Sequence, residues 1–380
     1  MTGSTLKRGS TWTAYWFTAD SATGKRRQHS KGGFLTKKAA GEHLNTVLGD
    51  VQAGSWAPDS KLTMKQLLAD WLAAKSSQGL RPATLSQYRN VIDAWLVPHI
   101  GEIELRRFGP AEAQALVSTL RTAGSRLNRG GLSDRSVQLA VTVLKAATGW
   151  AVETGLVMRD PLVGFRRPRV KSGAAAGSAW TADEARAFLR AVSGDRLTAA
   201  WSLFLTCGLR RGELCGLRWE AVDLTGNSLR ILTTLVLVDG RPVQSEPKTA
   251  SGRRSIPLDE ALVKALRSHR ASQAAERLMV GEAWRESGYV FTDELGAPLH
   301  PESVSTRFET LADRAGIRRV RLHDLRHTAA SLMLAAGENV KVVAELLGHS
   351  SPTITQDIYQ HVMPGMAEGA VERNSALLLG

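Results

Sequence analysis

Aromatic and polar residues alternate near the N-terminus, and this two-residue pattern gives way to helical spacing over most of the remaining chain. Residues 1–57 contain "TWTAYWFTAD", a Ser-Ala-Thr-Gly turn at 21–24 and then "KRRQHSKGGF". Alternation of this kind predicts short strands joined by a hairpin. A helix is expected to follow from about Thr36. The first 57 residues therefore predict a β-β-β-α module.

Apolar residues recur at intervals of three and four positions through residues 61–165. In "LTMKQLLADWLAAK", for example, most of the Leu and Trp side chains would share one helical face. Pro82 and Ser133 stand where helices are expected to begin, and Gly155 stands where the last of these helices is expected to end. An all-helical domain is therefore predicted over 61–165, after a Gly/Pro/Ser linker at 54–61.

The largest segment, residues 180–380, combines helices with a small antiparallel sheet. A helix is expected over 198–218, and strands are expected within 228–258. The pair Asp239-Gly240 is a strong signal for a hairpin turn between two of these strands. The predicted fold class is therefore mainly α with small β-sheets: an N-terminal β-β-β-α module, a helical domain and a mixed α+β domain.

The charge of the chain favours a polyanion as partner. Basic residues outnumber acidic ones 49 to 36, which gives a net charge of +13 and an isoelectric point near 10.1. A nucleic acid is the first candidate, although such a charge also serves solubility or follows from an arginine-rich composition. The longest apolar run, "ILTTLVLV" at 231–238, predicts a buried strand and is much shorter than the ~20 residues that span a bilayer.

Two further features bear on the compartment. The N-terminus, "MTGSTLKRGS", lacks the apolar segment of a signal peptide. The two cysteines, Cys207 and Cys215, are too few for a disulfide framework and do not have CxxC spacing. We therefore expect a protein of the reducing cytoplasm that has no membrane partner.

Basic residues stand where a nucleic acid would be expected to lie. In the N-terminal module they accompany Tyr15 and Trp16, and a sheet can lie in a DNA groove while lysines contact phosphates. A flexible basic linker at 166–179 would suit a chain that follows phosphates between two domains. For each single residue, an ordinary solvated face or tether is the alternative. The candidate DNA-binding residues are Lys25, Arg26, Arg27, Lys37 and Lys38 in the module, Arg81, Gln87, Arg89, Arg135 and Gln138 in the helical domain, and Arg166, Arg167 and Arg169 in the linker.

Several common catalytic signatures are absent from the sequence, which contains no GxxxxGKS or GxxxxGKT loop, no GxSxG elbow and no HExxH pair. His323 and His327 are four residues apart and could share a metal. However, no carboxylate or thiolate stands where it would join them as a ligand. We therefore expect no metal site and no cofactor.

Two Arg-containing pairs suggest chemistry on a phosphodiester instead. Arg210 and Glu213 are three residues apart in "GLRRGELCGLRW", and His323 and Arg326 are three apart in "LHDLRHTAASL". Each pair would share one face of a helix. Two guanidiniums can hold both non-bridging oxygens of a phosphate and stabilise the charge that develops during an in-line displacement.

The remaining groups that such a reaction needs occur downstream of the first pair. Lys248 precedes a predicted hairpin turn and could protonate a leaving alkoxide. Tyr359 stands ten residues after His349 and could be the nucleophile, with a histidine assisting the transfer of its hydroxyl proton. Each element alone is common, since an Arg and a Glu three apart usually form a helix salt bridge and a helical tyrosine usually packs. The specificity lies in their occurring together in this order.

Together these motifs resemble the catalytic part of the tyrosine recombinase family, of the phage-integrase type. The resemblance also extends upstream, where the helical domain is similar to the family's core-binding, SAM-like domain. It implies an arm-type DNA-binding module at 1–57, a core-binding domain at 61–165, a basic linker at 166–179, and a catalytic domain at 180–380 whose C-terminal segment serves oligomerisation. The motifs are "TCGLRRGELCGLRWEAVDL", "EPKTASGRRSIPL", "LHDLRHTAASLMLAAG" and "ELLGHSSPTITQDIYQHV".

The resemblance also implies roles for seven residues. Arg210 and Arg326 would bind the scissile phosphate, with Glu213 orienting Arg210. Tyr359 would attack the phosphate and form a 3′-phosphotyrosine. The other roles are those of Lys248 as general acid for the 5′-oxygen, His323 in the nucleophile's proton transfer, and His349 as a hydrogen-bond donor to the phosphate.

The implied activity is site-specific DNA recombination through a Holliday junction, without ATP or metal. The implied assembly is a homotetramer on two DNA duplexes that carry core and arm sites. An excision or directionality factor and a host DNA-bending protein are possible further partners. The implied location is the cytoplasm of a bacterial host, at the nucleoid.

Three other functions remain compatible with parts of the sequence. A type IB topoisomerase uses similar tyrosine chemistry, but the two-domain helical layout of the N-terminal part argues against it. A DNA-binding regulator or excision factor without catalysis would be expected to lack some of the catalytic residues. A metal-dependent nuclease built on the late histidines would be inhibited by EDTA, whereas a tyrosine recombinase would not.

Overall fold

In the computed structural model, the chain forms two compact units, Met1–Ser172 and Gly173–Gly380. No helix that the structure describes is both long and apolar enough to cross a membrane. Three predicted site residues, Lys25, Lys248 and Tyr359, lie outside the described residues, as does most of the predicted basic linker at 166–179. The residues that the structure describes are 3–19, 26–53, 61–124, 130–169, 179–247, 250–349, Ser375 and Leu378.

The first unit begins with a three-stranded antiparallel sheet and a helix. These elements are β1 (Ser4–Arg8), β2 (Thr11–Ala19), β3 (Arg26–Phe34) and α1 (Lys37–Ala53). The strand order is β1-β2-β3. Alternate residues of β2, Ala14 and Trp16, are buried against Leu44 and Val47 of α1, so the two-residue pattern creates one apolar face. The predicted β-β-β-α module is confirmed.

The rest of the first unit is helical within the described ranges 61–124 and 130–169. Its α-helices are α2 (Met64–Ser77), α3 (Pro82–Val91), α4 (Val97–Ile100), α5 (Pro110–Ala123) and α6 (Asp134–Glu153). As predicted, Pro82 begins α3 and Ser133 caps α6, since its hydroxyl accepts the backbone N–H of Ser136 at 3.2 Å. The apolar faces of these helices meet in one core, which confirms the predicted helical domain.

The second unit combines helices with two small antiparallel sheets in the ranges 179–247 and 250–349. The elements are α7 (Ala182–Ala191), α8 (Thr198–Cys207), α9 (Arg211–Cys215), β4 (Val222–Asp223), β5 (Ser228–Ile231), β6 (Thr234–Val238), β7 (Arg241–Ser245), β8 (Arg254–Pro257), α10 (Glu260–Val280), α11 (Pro301–Arg314), α12 (Asp324–Ala335) and α13 (Val340–Leu347). The sheets have the strand orders β4-β5-β8 and β6-β7, and the core contains the packed rings of Phe188, Trp201 and Phe308. The predicted mixed α+β class is confirmed.

The predicted hairpin is present, but the prediction that residues 231–238 form a single buried strand is wrong. Asp239 and Gly240 have positive φ angles of 50° and 76°, and they join β6 to β7 as a two-residue turn. The apolar run 231–238 is divided between two strands, because β5 ends within it and β6 begins within it. Leu232, at the passage from one sheet to the other, is 41% exposed.

Candidate active site

A break in the helix predicted over 198–218 positions Arg210. That stretch is not one helix, because α8 and α9 are separate elements with Gly208 between them. Gly208 has a φ of +62°, a left-handed conformation that glycine adopts without strain. A β-carbon at this position would clash with the side chain of Leu347. Arg210 therefore stands at the N-cap of α9 instead of in the middle of a helix.

Arg210 and Glu213 contact each other across the start of α9. Oε2 of Glu213 accepts a hydrogen bond from the backbone N–H of Arg210 at 3.0 Å, and Oε1 accepts one from Nη1 at 2.6 Å. The Glu213 side chain is 2% exposed, whereas that of Arg210 is 37% exposed. The carboxylate therefore holds the guanidinium from its buried side and leaves part of it open to solvent.

Arg254 on β8 binds the same carboxylate. Its Nη1 donates to Oε1 of Glu213 at 3.0 Å and its Nη2 donates to Oε2 at 2.9 Å, which is the two-point geometry of a strong ion pair. Burial alone would raise the pKa of Glu213. The hydrogen bonds and charge of Arg254, together with the charge of Arg210, instead hold that pKa below its ordinary value. Glu213 is therefore ionised at neutral pH.

Three arginines donate to three consecutive carbonyls at the C-terminal end of α13. The pairs are Arg254 Nε with Leu346, Arg326 Nη2 with Leu347, and Arg210 Nη2 with Gly348, each at 2.6 Å. The last carbonyls of a helix have no partner within it and carry the negative end of the helix dipole, so cations are favoured there. The guanidiniums therefore connect the end of α13 to β8, α12 and α9.

Arg326 is buried, with 3% of its surface exposed. Its Nη1 donates to the carbonyl of Gly208 at 2.8 Å, so it also connects α12 to the helix break. Burial, aided by the charges of Arg210 and Arg254, lowers the pKa of Arg326 to about 9. The guanidinium is therefore still protonated at neutral pH.

His349 follows Gly348, the C-cap of α13, and is held neutral. Its backbone N–H donates to the carbonyl of Ala344 at 3.0 Å. Burial, and then the charges of Arg326 and Arg210, lower the pKa of His349 to about 4. A neutral imidazole at pH 7 keeps one N–H donor and adds no charge to the cluster.

His323 and His327 meet edge to face at the start of α12, with ring centroids 5.7 Å apart. Burial lowers the pKa of both imidazoles, and the charges of His327 and Arg326 lower that of His323 further. Both rings are therefore neutral at pH 7. Among the residues that the structure describes, no three or more His, Cys, Asp or Glu side chains are arranged to hold a metal.

The structure brings Arg210, Glu213 and Arg326 together through hydrogen bonds at the end of α13. His349 follows there and lies within the electrostatic influence of Arg326 and Arg210. His323 lies within the electrostatic influence of Arg210 and Arg326. Lys248 and Tyr359 lie outside the described residues, so their roles stay predictions.

Arg254 is the member of the cluster that sequence reasoning missed. A signal for it existed in the strand pattern, because Arg254, Ile256 and Leu258 alternate along the chain. Ile256 and Leu258 are buried, and residues two apart on a strand share a face, so Arg254 is expected to point inward. A charged residue on an inward face requires a partner, which here is Glu213.

The predicted DNA-binding residues that the structure describes lie at the surface. Arg26 and Arg27 begin β3, and Lys37 and Lys38 begin α1. The Lys37 ammonium is 5.8 Å from the centroid of the Trp12 ring. The DNA contacts of these residues stay predictions. In the remainder of the first unit Gln138 is half-buried, and the exposed residues are Arg81, Gln87, Arg89, Arg135, Arg166, Arg167 and Arg169.

Three protein-family models match successive parts of the chain. An arm DNA-binding domain matches residues 4–51, and the SAM-like N-terminal domain of phage integrases matches residues 63–121. The phage integrase family matches residues 179–365.

Relatives and solved structures agree with these matches. A tyrosine recombinase XerC-like protein of Caldanaerobacter subterraneus is 28% identical over 90% of this chain and 90% of its own length. The tyrosine recombinase XerC of Xylella fastidiosa is 32% identical over 79% of this chain and 93% of its own.

Two DNA complexes share the fold. The Tn1549 transposon integrase with transposon right end DNA has a TM-score of 0.65 and 22% identity, covering 82% of this chain and 99% of that chain. A lambda integrase tetramer bound to a Holliday junction has a TM-score of 0.58 and 19% identity, covering 92% and 96%. The Xylella recombinase is 32% identical over 79% of this chain, and the family models and the shared fold agree with it. The chain therefore belongs to the phage integrase family and is a tyrosine-type site-specific recombinase.

Proposed function

We propose that the protein is the integrase of a phage or integrative mobile element. It cleaves and rejoins DNA at an attachment site through a 3′-phosphotyrosine intermediate and a Holliday junction. The observation that best supports this proposal is the cluster at the end of α13. There Arg210 and Arg326 are each held at 2.6 Å from a backbone carbonyl, directly before a neutral His349.

The cluster supplies what the transition state of phosphoryl transfer requires. Arg210 and Arg326 bind the two non-bridging oxygens of the scissile phosphate and stabilise the negative charge that develops on them. His349 donates a hydrogen bond to the same phosphate, and because its ring is neutral it does not repel the guanidiniums. These fixed cations carry the charge stabilisation in the proposed reaction, which uses no metal or cofactor.

The covalent step is an in-line displacement by Tyr359. Its Oη forms a bond to phosphorus while its proton passes to His323, and the bond from phosphorus to the 5′-oxygen breaks. Lys248 gives a proton to the leaving 5′-oxygen. One phosphodiester is exchanged for another, so no ATP is consumed. Attack by the 5′-hydroxyl of a partner strand reverses the step and releases Tyr359.

The proposed enzyme binds two kinds of DNA site and works as a tetramer. The match to an arm DNA-binding domain at 4–51, besides the SAM-like domain, supports separate arm and core sites. The lambda integrase tetramer on a Holliday junction supports a homotetramer on two synapsed duplexes for this chain. An excision or directionality factor and a host DNA-bending protein are further proposed partners. The reaction is proposed to occur in the bacterial cytoplasm, at the nucleoid.

The function is tested with a nicked suicide substrate that carries the attachment site. Wild-type protein is expected to become covalently joined to the DNA, because the cleaved strand is lost and ligation cannot follow. The joined species should remain after denaturation in SDS. Tyr359→Phe lacks the attacking oxygen and is expected to trap no DNA. Tyr88→Phe is the matched control, since the Tyr88 ring stacks on Trp71 in the helical core and should trap DNA normally. Trapping by Tyr359→Phe would show that another residue is the nucleophile.

A further inference from the structure

The Arg254 side chain is enclosed, and its donors are directed at acceptors of the protein. It is 7% exposed. Besides the two oxygens of Glu213, it donates to the carbonyls of Leu346 at 2.6 Å and Gly252 at 3.3 Å. Both Nη atoms of Arg254 are bound by a buried carboxylate, whereas those of Arg326 donate to backbone carbonyls. A guanidinium in a two-point ion pair with a carboxylate is not expected to exchange that partner for a phosphate.

Glu213 has two guanidinium partners of different geometry. Arg254 binds it through two parallel hydrogen bonds, whereas the Arg210 side chain binds it through one. With both arginines present, the three side chains carry a net charge of one positive unit. Without Arg254 the buried carboxylate would face Arg210 alone, and the pair would be neutral. Coulomb attraction in a buried site is strong, so this difference matters there.

We propose that Arg254 is a positioning residue that neutralises Glu213, so that Glu213 can orient Arg210 without cancelling its charge. The inference rests on the proposed function, in which Arg210 binds the scissile phosphate. The carboxylate gives Arg210 its direction through Nη1 and the backbone N–H. Arg254 keeps the positive charge of Arg210 available to the DNA.

A purely structural role for Arg254 predicts a different result. Through Leu346, Arg254 also connects β8 to the end of α13, and this contact alone could explain its burial. In that case removing the Glu213 charge from a protein that lacks Arg254 would bring no gain. If Arg254 compensates charge, the same removal restores the cation at Arg210 and therefore restores activity.

The test compares Arg254→Met, Glu213→Gln and the double variant. The measured quantity is the first-order rate of covalent trapping with saturating nicked substrate. Arg254→Met is expected to lower this rate about 100-fold, which is typical for loss of a charge-stabilising donor. The double variant is expected to be at least about tenfold faster than Arg254→Met, because glutamine also serves as a helix N-terminal capping residue. The matched control is Arg230→Met on β5, an exposed arginine whose loss should leave the rate unchanged.

A second readout does not depend on cleavage. Log affinity for the core site falls linearly with log salt concentration. In a Tyr359→Phe background, Arg254→Met is expected to make this slope shallower by about one. The double variant should regain the wild-type slope. If Arg254→Met does not fold, the double variant is compared directly with wild type, and its rate should remain within about tenfold.

The outcomes separate the two proposals. Wild-type protein that never traps DNA would contradict the proposed function, and the salt slopes would still decide the role of Arg254. A trapping wild type with a double variant that is no faster than Arg254→Met would overturn the role of Arg254 alone. Equal salt slopes for Arg254→Met and the double variant would also overturn the role of Arg254.

Discussion

At the scale of single residues, the neutral His349 connects the stability of the site to pH. The folded protein holds the pKa of His349 at about 4, below its ordinary value of 6.5. Between these values the unfolded chain binds more protons, so the free energy of unfolding falls as the pH falls through this range. One such proton contributes at most about 1.4 kcal/mol per pH unit.

His349→Gln should reduce this pH dependence. Urea unfolding followed by tryptophan fluorescence, between about pH 7 and about pH 5, gives the slope for both proteins. His323, His327 and His269 have pKa values lowered in the same direction, and they remain in both proteins. Wild type is therefore expected to lose more stability than the variant. Equal slopes would mean that His349 is not held neutral by the fold.

Residue identity and order predicted that Arg210, Glu213, Arg326 and His349 belong to one site, because the chemistry of a phosphate site restricts the residue types. The structure places all four near the end of α13, and their roles stay predictions. The same reasoning missed Arg254. Its partners, Glu213 and the carbonyl of Leu346, come together only through the packing of β8 against α9 and α13. Nothing in the local sequence specifies that packing. Only the alternation along β8 shows that the side chain points inward.

At the scale of elements, the break between α8 and α9 determines where Arg210 stands. An isolated glycine is tolerated within a helical pattern, so the sequence predicted one helix there. Gly208 ends α8 in the left-handed conformation, a common way for a helix to stop. Tertiary packing also requires glycine there, since the side chain of Leu347 from α13 occupies the space that a β-carbon would need. The turn at Asp239-Gly240 was predictable, by contrast, because its cause lies in the two residues themselves.

Gly208→Ala tests this break, with Gly316→Ala as control. Both glycines have positive φ angles, +62° and +64°, so alanine costs about 1–2 kcal/mol at either site. Nothing lies within 4 Å of a β-carbon at Gly316, whereas at Gly208 it meets Leu347 and adds about 1–3 kcal/mol. Thermal unfolding should rank the two variants in that order. Trapping should decrease only for Gly208→Ala, because its carbonyl holds Arg326. Equal effects on both measurements would contradict this explanation.

At the scale of the whole molecule, the excess of positive charge is divided among parts with different proposed tasks. The order of module, helical domain and mixed domain was predictable from a change in hydrophobic period along the chain. The DNA sequences that each part binds were not, because exposed arginines and lysines contact phosphates of any sequence. The proposed division between arm and core sites therefore has to be tested by separating binding from chemistry.

Arg26→Gln with Arg27→Gln should separate them. Both residues are exposed at the start of β3, so their loss removes two proposed phosphate contacts without disturbing the core of the module. Arm-site affinity is expected to fall, and the plot of log affinity against log salt concentration should become shallower by roughly two. Trapping on an isolated core site should stay at the wild-type rate. The control is Lys264→Gln with Arg314→Gln, which removes the same charge from exposed positions of the second unit and should leave the arm-site slope unchanged. A loss of core-site trapping in the Arg26 and Arg27 variant would argue against a separate arm module, since the proposed catalytic cluster at the end of α13 would then depend on these residues.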